Sequence, residues 1–236
     1  MAKPWLPLLE SSGTLIWACD SVKGCFDSLA SACASRVLLL PAPTPSRRRS
    51  LKKTRLLASD NAVDLWALDE VRFQQHGSRC QMWVPPEIKD PVLLHHPTRR
   101  SVGYFGAVRL RDGKCVFRRE EEKFNAMTFL SFIKHLRLVS SHSGRRVVVI
   151  IDNARYHHAV LHKEYRDKNR ERLSLEFLPP YSPELNPIER LWKLTRRLAT
   201  HNQYFQTLTD IVEAVETIFS QWRLGNETVR RLCSIT

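Results

Sequence analysis

The run VVVII at positions 147–151 constrains the fold most, because five consecutive aliphatic residues indicate a strand buried on both faces of a sheet. Asp152 and Asn153 follow this run directly. In open sheets, ligands commonly bind beyond the carboxyl ends of strands, where a carboxylate reaches the ligand while its strand stays rigid. The alternative interpretation is that Asp152 and Asn153 only turn the chain, as such pairs often do.

The same arrangement occurs a second time, in the sequence AVDLWALDE at positions 62–70. Here another apolar strand ends in Asp69, with Glu70 beside it. Two strands that end in carboxylates at neighbouring positions of one sheet bring hard oxygen ligands together, as Mg²⁺ or Mn²⁺ requires. A solvated strand end would show the same pattern.

A third acid, Glu189, lies in PPYSPELNPIERLWK at positions 179–193. Asn186 as N-cap, Pro187 at the first helical position and Glu189 at the third are typical of a helix start, so Glu189 could serve only as a capping residue. The same placement also projects Glu189 from a rigid first turn. Three carboxylates on separate rigid elements fit a site in which two metal ions act on a phosphodiester.

The charge of the chain points to a polyanionic partner. It carries 37 Lys and Arg against 24 Asp and Glu, a net charge of +13 over 236 residues. Nucleic acid is the commonest partner of such a surplus, although a merely soluble basic surface has the same composition. The six cysteines form no Cys-x-x-Cys pair and no spacing that suits zinc, which favours reduced thiols in a cytosolic protein.

The pattern divides the chain into two parts, 1–58 and 59–236. The stretch LPAPTPSRRRSLKKTR at positions 40–55 combines prolines with basic residues, which is typical of a solvated linker or of an arm lying on phosphates. We therefore expect a poorly ordered, basic N-terminal segment without a clear helix-turn-helix. No run approaches the roughly 18 apolar residues of a membrane helix, and we expect no membrane partner.

From residue 59 onward, strand and helix patterns alternate. Strands are predicted at 62–70, 81–86, 101–110, 114–121, 147–152 and 173–179. Helices are predicted from about residue 125, near 157–170, from residue 186 and from Thr207, where Thr207 and Asp210 resemble a capping box. The predicted fold is therefore α/β, with helices on the faces of a mixed sheet.

Three blocks of this sequence resemble the catalytic blocks of mariner-type DDE transposases, in particular the bacterial insertion-sequence 630 branch. They are ALDEVRF (67–73), IIDNARYHH (150–158) and LPPYSPELNPIERLWK (178–193), and the resemblance covers about residues 60–225. It implies a ribonuclease H-like fold in which Asp69, Asp152 and Glu189 are the catalytic and metal-binding acids. Supporting roles would fall to other residues of the same blocks: Glu70, Asn153, His157 and Asn186.

The resemblance also implies the chemistry and the partners. Two Mg²⁺ or Mn²⁺ ions would support DNA cleavage at the ends of an insertion sequence, followed by transfer of the freed 3′ end to target DNA, typically at a TA dinucleotide. Double-stranded DNA would be the partner of a homodimer in a cytoplasmic, nucleoid-associated protein. We assign DNA contacts to the basic residues Arg47, Arg48, Arg49, Lys52, Lys53, Arg55, Arg190 and Lys193.

Residues 1–58 depart from the family, whose full-length members carry helix-turn-helix modules before the catalytic domain. Two alternatives therefore stand beside an active transposase. One is a truncated or inactive remnant that binds DNA without cutting it, and the other is a ribonuclease H-like nuclease. A metal-dependent nicking assay separates these classes.

Overall fold

Five strands form one mixed sheet in the order β3-β2-β1-β4-β5. The computed structural model describes residues 44–80, 87, 92, 94, 98–121, 123–140 and 144–235, and the statements that follow concern these residues. In chain order, the strands are β1 (Val63–Gln74), β2 (Ser101–Arg109), β3 (Cys115–Glu120), β4 (Arg146–Ile151) and β5 (Leu173–Phe177).

One part of the sheet is antiparallel and the other part is parallel. The long β1 pairs antiparallel with β2, and β2 pairs antiparallel with β3. On its other side β1 pairs parallel with β4, which in turn pairs parallel with β5. Since β4 lies between two parallel neighbours, its residues 147–151 are buried, as a continuous aliphatic run predicts. The predicted mixed sheet is confirmed.

Helices cover both faces of the sheet. Along the chain they are α1 (Pro45–Ser59), α2 (Ala126–Ser140), α3 (Lys163–Lys168), α4 (Ile188–Ala199), α5 (Leu208–Ser220) and α6 (Glu227–Leu232). One face packs against α2 through Phe129, Phe132, Ile133 and Leu136. The opposite face packs against α4, α5 and α6, and Leu57 of α1 contacts a third cluster, which includes Val148 and Ile150.

Three segments differ from the sequence-based expectation. The strand predicted to end at Asp69 continues to Gln74, so Asp69 lies within β1. The basic stretch 46–55, predicted as a solvated linker or as an arm lying on phosphates, lies within helix α1, which begins with Pro45 at a position that suits proline. The predicted polar helix at 157–170 is shorter, because two 3₁₀ turns, Arg155–His158 and Val160–His162, precede α3. The capping box of Thr207 and Asp210 is confirmed at the start of α5.

Some predictions concern residues outside the described ones, namely the strand at 81–86 and the poor order of residues 1–43. Among the described helices, none combines the length and the apolar character that crossing a membrane requires.

Candidate active site

The three acids singled out from the sequence line one cavity of about 410 Å³. Asp69 comes from β1, Asp152 follows the end of β4, and Glu189 stands in the first turn of α4. Asn153 and Asn186 line the same cavity. We call this space the acidic cavity.

Strand register explains why the two aspartates meet. The last paired residues of the parallel β1 and β4 ladder are Ala67 and Ile150, and each aspartate lies two residues further along its strand. Because side chains alternate between the faces of a sheet, Asp69 belongs to the face of Ala67 and Asp152 to the face of Ile150. Both of those residues pack on the side that α1 and α4 cover. The sheet therefore presents both carboxylates at one edge of the same face.

The pKa of Asp69 is strongly raised. Burial, and in the same direction the nearby carboxylates Glu70, Glu189 and Asp152, together raise it to about 8. Its Oδ2 accepts a hydrogen bond of 3.2 Å from the indole Nε1 of Trp192. A negative charge on Asp69 is thus unfavourable unless a cation joins the acidic cavity.

His157 contacts one acid of β1 and the acid that follows β4. Its ring is buried, with Nε2 3.0 Å from Glu70 Oε1 and Nδ1 2.9 Å from Asp152 Oδ1. Burial alone would lower the pKa of His157, but the contacts with Asp152 and Glu70 outweigh it and raise the pKa to about 9. His157 is therefore a cation at neutral pH. Contact with it holds the pKa of Asp152 below the usual range.

Aromatic neighbours fix the plane of the His157 ring. The ring centroid of Phe129 lies 4.4 Å from that of His157, and the centroid of Tyr156 lies 4.3 Å away. Burial and the Glu70 carboxylate raise the pKa of the Tyr156 hydroxyl, so it stays a neutral donor. His158 is exposed, and its Nε2 contacts Asn153 Oδ1. Of the two adjacent histidines, His157 is thus the one built into the site.

Asn186 does not cap α4, although the sequence predicts an N-cap. Pro187 occupies that position, and the buried side chain of Asn186 instead donates from Nδ2 to the carbonyl oxygen of Leu68 at 3.0 Å. This bond ties the start of α4 to the strand residue that precedes Asp69. The amide oxygen Oδ1 of Asn186 is buried and has no hydrogen-bond partner among the described residues.

Arg47 of α1 binds the loop at 181–184, which contributes Tyr181, Ser182 and Pro183 to the wall of the acidic cavity. Arg47 donates to the carbonyl oxygen of Tyr181 at 2.7 Å and to Ser182 Oγ at 2.9 Å, and it lies 3.1 Å from Glu184 Oε1. Tyr181 has a φ of 55°, in the left-handed region. The side chain of Tyr181 is 95% exposed, so the loop is held in place while this ring points to solvent.

The residues assigned to DNA contacts separate into two groups. Arg47, Lys53 and Arg190 are engaged within the chain, since Lys53 pairs with Glu176 and Arg190 donates to the carbonyl oxygens of Leu232 and Ser234. The others are exposed, with no ion pair recorded within the described part of the chain: Arg48, Arg49, Lys52, Arg55 and Lys193.

A second cavity, of about 780 Å³, adjoins the acidic one. Arg49 and Lys53 of α1 line it, and it shares Asn153 and the stretch 178–180 with the acidic cavity. The cationic surface of α1 therefore leads directly to the three acids.

The donor set of the acidic cavity suits a hard divalent cation. No three His, Cys, Asp or Glu side chains of the described residues already stand together as a metal cluster. Nevertheless, three carboxylates line the cavity, and carboxylate oxygens are donors of the kind that Mg²⁺ and Mn²⁺ prefer. A cation would also offset the burial and the mutual repulsion that raise the pKa of Asp69.

Sequence reasoning missed two residues of this site. Its helical spacing with Ile188 and Leu191 predicts only core packing for Trp192, yet its indole nitrogen donates to Asp69. Gly106 lies opposite Asp69 in the β1–β2 ladder, and a Cβ there would stand 2.2 Å from Trp192 Cη2. A glycine inside an apolar strand often marks a close approach, and this signal was present in SVGYFGAVRL.

Comparisons with known proteins agree with this geometry. A family model of the DDE superfamily endonuclease matches residues 64–212, which include all three acids. The chain is also 38% identical over 69 residues to the uncharacterized protein y4pE/y4sA of Sinorhizobium fredii (strain NBRC 101917 / NGR234). That stretch covers 29% of this chain and 47% of the relative, so the match spans about half of the relative's length.

Solved structures of the Mos1 transposase are similar in fold. The paired-end complex with the left transposon end has a TM-score of 0.56 at 16% identity, over 88% of this chain and 66% of that chain. The Mos1 mariner paired end complex with Mn has a TM-score of 0.57 at 16% identity, again over 88% and 66%.

The predicted ribonuclease H-like fold is confirmed by these structures, which share the mixed sheet and its flanking helices. The insertion-sequence 630 branch stays a prediction. Since the family model extends over more than half of the 236 residues, the chain belongs to the DDE superfamily endonuclease family.

Proposed function

We propose that the chain is a transposase catalytic domain that cleaves DNA at the ends of an insertion sequence and transfers the freed 3′ ends to target DNA. The observation that carries the proposal is the meeting of Asp69, Asp152 and Glu189, from three separate elements, in one cavity. The family membership and the sequence blocks around these acids support it.

The three acids share one task in the proposed reaction. Asp69, Asp152 and Glu189 hold divalent cations, most simply two Mg²⁺ or Mn²⁺ ions. Such ions, when bound, lower the pKa of an attacking water or 3′-hydroxyl and stabilise the leaving oxygen of the phosphodiester. Asn186, whose Nδ2 donates to the carbonyl oxygen of Leu68, holds the start of α4, and with it Glu189, against the strand that bears Asp69. Asn153, at the shared wall of the two cavities, is placed to orient the substrate.

Glu70 and His157 act behind the acids. The cationic His157 is fixed by Glu70 and contacts Oδ1 of Asp152, which also accepts from the backbone nitrogen of Ala154 at 3.0 Å. With Oδ1 engaged in this way, Oδ2 of Asp152 is the oxygen directed to a ligand. His157 thus keeps Asp152 ionised and oriented over the neutral pH range.

The DNA backbone would approach along α1. Arg49 and Lys53 of α1 line the cavity that adjoins the acidic one, and phosphates are the natural partners of a solvated Arg and Lys surface. We include in the proposal a homodimer on DNA, terminal repeats and target duplex as substrates, and a cytoplasmic, nucleoid-associated location. The Mos1 complexes, one with the left transposon end and others with Mg or Mn, support the DNA and cation parts by analogy of fold.

The test is a nicking and strand-transfer assay with a duplex that ends in a candidate terminal repeat, with Mg²⁺, with Mn²⁺ and with EDTA. Asp152→Asn should abolish cutting and weaken Mn²⁺ binding in a calorimetric titration. Asp167→Asn is the matched control, since it makes the same chemical change at an exposed position of α3. It should cut as the natural chain does.

The assay distinguishes the alternatives as well. Retardation of DNA without cutting in every condition would indicate a remnant that only binds. Cutting without joining to a target would indicate a nuclease. Equal cutting by Asp152→Asn and by the natural chain would refute the assignment of the site.

A further inference from the structure

We infer that Trp192 is a positioning residue of the candidate metal site, which holds the Asp69 carboxylate by its indole N–H while Gly106 leaves the space that the indole occupies. The inference rests on the proposed function, because it concerns the same acids. It assigns a polar role to a residue whose sequence context indicates only core packing.

The hydrogen bond is the first observation. Nε1 of Trp192 lies 3.2 Å from Asp69 Oδ2, and the ring itself is 1% exposed. A buried indole N–H usually finds an acceptor, and here the acceptor is a carboxylate oxygen of the acidic cavity. Since Trp192 engages Oδ2 of Asp69, Oδ1 is the oxygen left for a ligand. Asp152 is arranged in the same way, because His157 contacts its Oδ1 and leaves Oδ2 for a ligand.

The position of Trp192 on α4 is the second observation. Glu189 precedes it by three residues, so both side chains extend from the first turns of one helix. Glu189 lines the acidic cavity, and Trp192 reaches across to the strand that bears Asp69. One rigid element thus carries a candidate ligand and the residue that orients a second ligand. The depth at which α4 packs on the sheet sets the separation of the two carboxylates.

Gly106 is the third observation. It is the cross-strand partner of Asp69, and a Cβ built on it would lie 2.2 Å from Cη2 and 2.8 Å from Cζ2 of Trp192. Contacts this short require the indole to move, since the neighbouring strand backbone is fixed by its ladder. A side chain at position 106 would therefore displace the donor of Asp69.

Trp66 provides a matched comparison within the same strand as Asp69. It is fully buried, as Trp192 is, but its Nε1 has no hydrogen-bond partner among the described residues. It packs with the cluster on the α2 side of the sheet, away from the acidic cavity. A Trp→Phe change at either position removes a similar volume, and only the change at Trp192 removes a bond to Asp69.

The experiment compares Trp192→Phe and Trp66→Phe in the full chain. Mn²⁺ affinity is measured by calorimetry and the free energy of unfolding by urea titration in EDTA. Loss of a residue that orients a metal ligand typically weakens metal binding about 10- to 100-fold. We expect this loss in Trp192→Phe and an affinity close to that of the natural chain in Trp66→Phe, although both are less stable. Equal Mn²⁺ affinities in the two variants would overturn the inference.

A spectroscopic readout does not depend on stability. In the natural chain, titration with diamagnetic Mg²⁺ should shift the indole N–H proton resonance of Trp192 and leave that of Trp66 in place. An unmoved Trp192 resonance in a chain that binds Mg²⁺ would refute the positioning role. If the natural chain binds neither Mg²⁺ nor Mn²⁺, the proposed function and the inference are both refuted. If it binds Mg²⁺ while the Trp192 resonance stays in place, only the inference is refuted.

Gly106→Ala keeps the inference testable if Trp192→Phe does not fold. Because the added methyl group meets the six-membered ring of the indole, we expect Gly106→Ala alone to weaken Mn²⁺ binding as Trp192→Phe does. In the double variant the shorter Phe ring leaves room for the methyl group. The second change should then cost little more affinity, a non-additivity that double-mutant cycles measure. Full additivity would contradict the assigned contact.

Discussion

Asp69→Asn should stabilise the metal-free protein, and the gain should grow with pH. The folded pKa of Asp69 is about 8 and the ordinary value is 3.8, mainly because the carboxyl is buried. At a pH between 3.8 and about 8, the Asp69 carboxyl of the folded chain keeps a proton that the same carboxyl releases in the unfolded chain. Stability therefore falls as pH rises through this window, by about 1.4 kcal/mol per pH unit. Asn is neutral at every pH and removes the slope.

The size of the effect follows from the two pKa values. Linkage gives a stabilisation of about 2 kcal/mol at pH 5 and about 4 kcal/mol at pH 7. The measurement is urea unfolding in EDTA at both pH values, with the same dependence on denaturant required of both proteins. His157, whose pKa is raised to about 9, contributes stability that is lost as pH rises, but it does so in both proteins and largely cancels from the difference.

Asp152→Asn is the contrasting variant. Contact with His157 lowers the pKa of Asp152, so its charge contributes stability that is present at neutral pH and lost as pH falls through the folded pKa. Its removal should destabilise the protein at pH 7. The reasoning would be refuted if Asp69→Asn were no more stable than the natural chain, or if its gain were equal at pH 5 and pH 7. Saturating Mg²⁺ should stabilise the natural chain, so that the natural chain becomes more stable than Asp69→Asn.

Two further predictions concern the scaffold and the DNA surface. Gly113 and Gly144 have φ values of +68° and +66°. A Cβ at Gly113 would lie 2.3 Å from the carbonyl oxygen of Asn226, whereas no atom of the described part of the chain lies within 4 Å of a Cβ at Gly144. Gly144→Ala should cost about 1–2 kcal/mol in thermal unfolding, and Gly113→Ala clearly more; equal losses would show that the contact is not rigid. Replacing three exposed basic residues of α1 by Ala should lower the slope of log affinity against log salt for duplex DNA by about 2–3 units, whereas replacing Arg230 and Arg231, which pair with Glu227, should leave it unchanged. The residues replaced in the first variant are Arg48, Lys52 and Arg55, and an unaltered slope there would exclude the face of α1 that bears them as a phosphate surface.

The sequence predicted the acids well because their positions depend on short-range patterns. The aliphatic run that stops at Asp152 marks the end of β4. The run that stops at Asp69 marks no strand end, because β1 continues to Gln74, but Asp69 lies just beyond Ala67, the last residue of β1 that pairs with β4. The proline-rich stretch before Glu189 likewise marks a helix start within one residue of the observed one. Each of these signals lies within a few residues of the side chain that it positions.

The missed features depend on packing between distant segments. Prolines and charges before residue 56 indicated a linker, whereas the segment forms a helix because Leu57 packs under the sheet and Thr54 is buried. Asn186 suits an N-cap by type, but the nearby Leu68 carbonyl oxygen offered its amide a different acceptor. The bond of Trp192 to Asp69 likewise spans 123 positions of sequence, and no local pattern reports it.

The register of β1 and β4 has a consequence for how the chain can change in evolution. Aliphatic substitutions within β4 leave the separation of Asp69 and Asp152 unaltered, because the ladder between Ala67 and Ile150 defines it. Deletion of a single residue from β4 would turn Asp152 to the opposite face of the sheet. Deletion of two would restore the face but withdraw the carboxylate by about 6.6 Å. The site therefore tolerates drift in composition but not a change in the length of this strand.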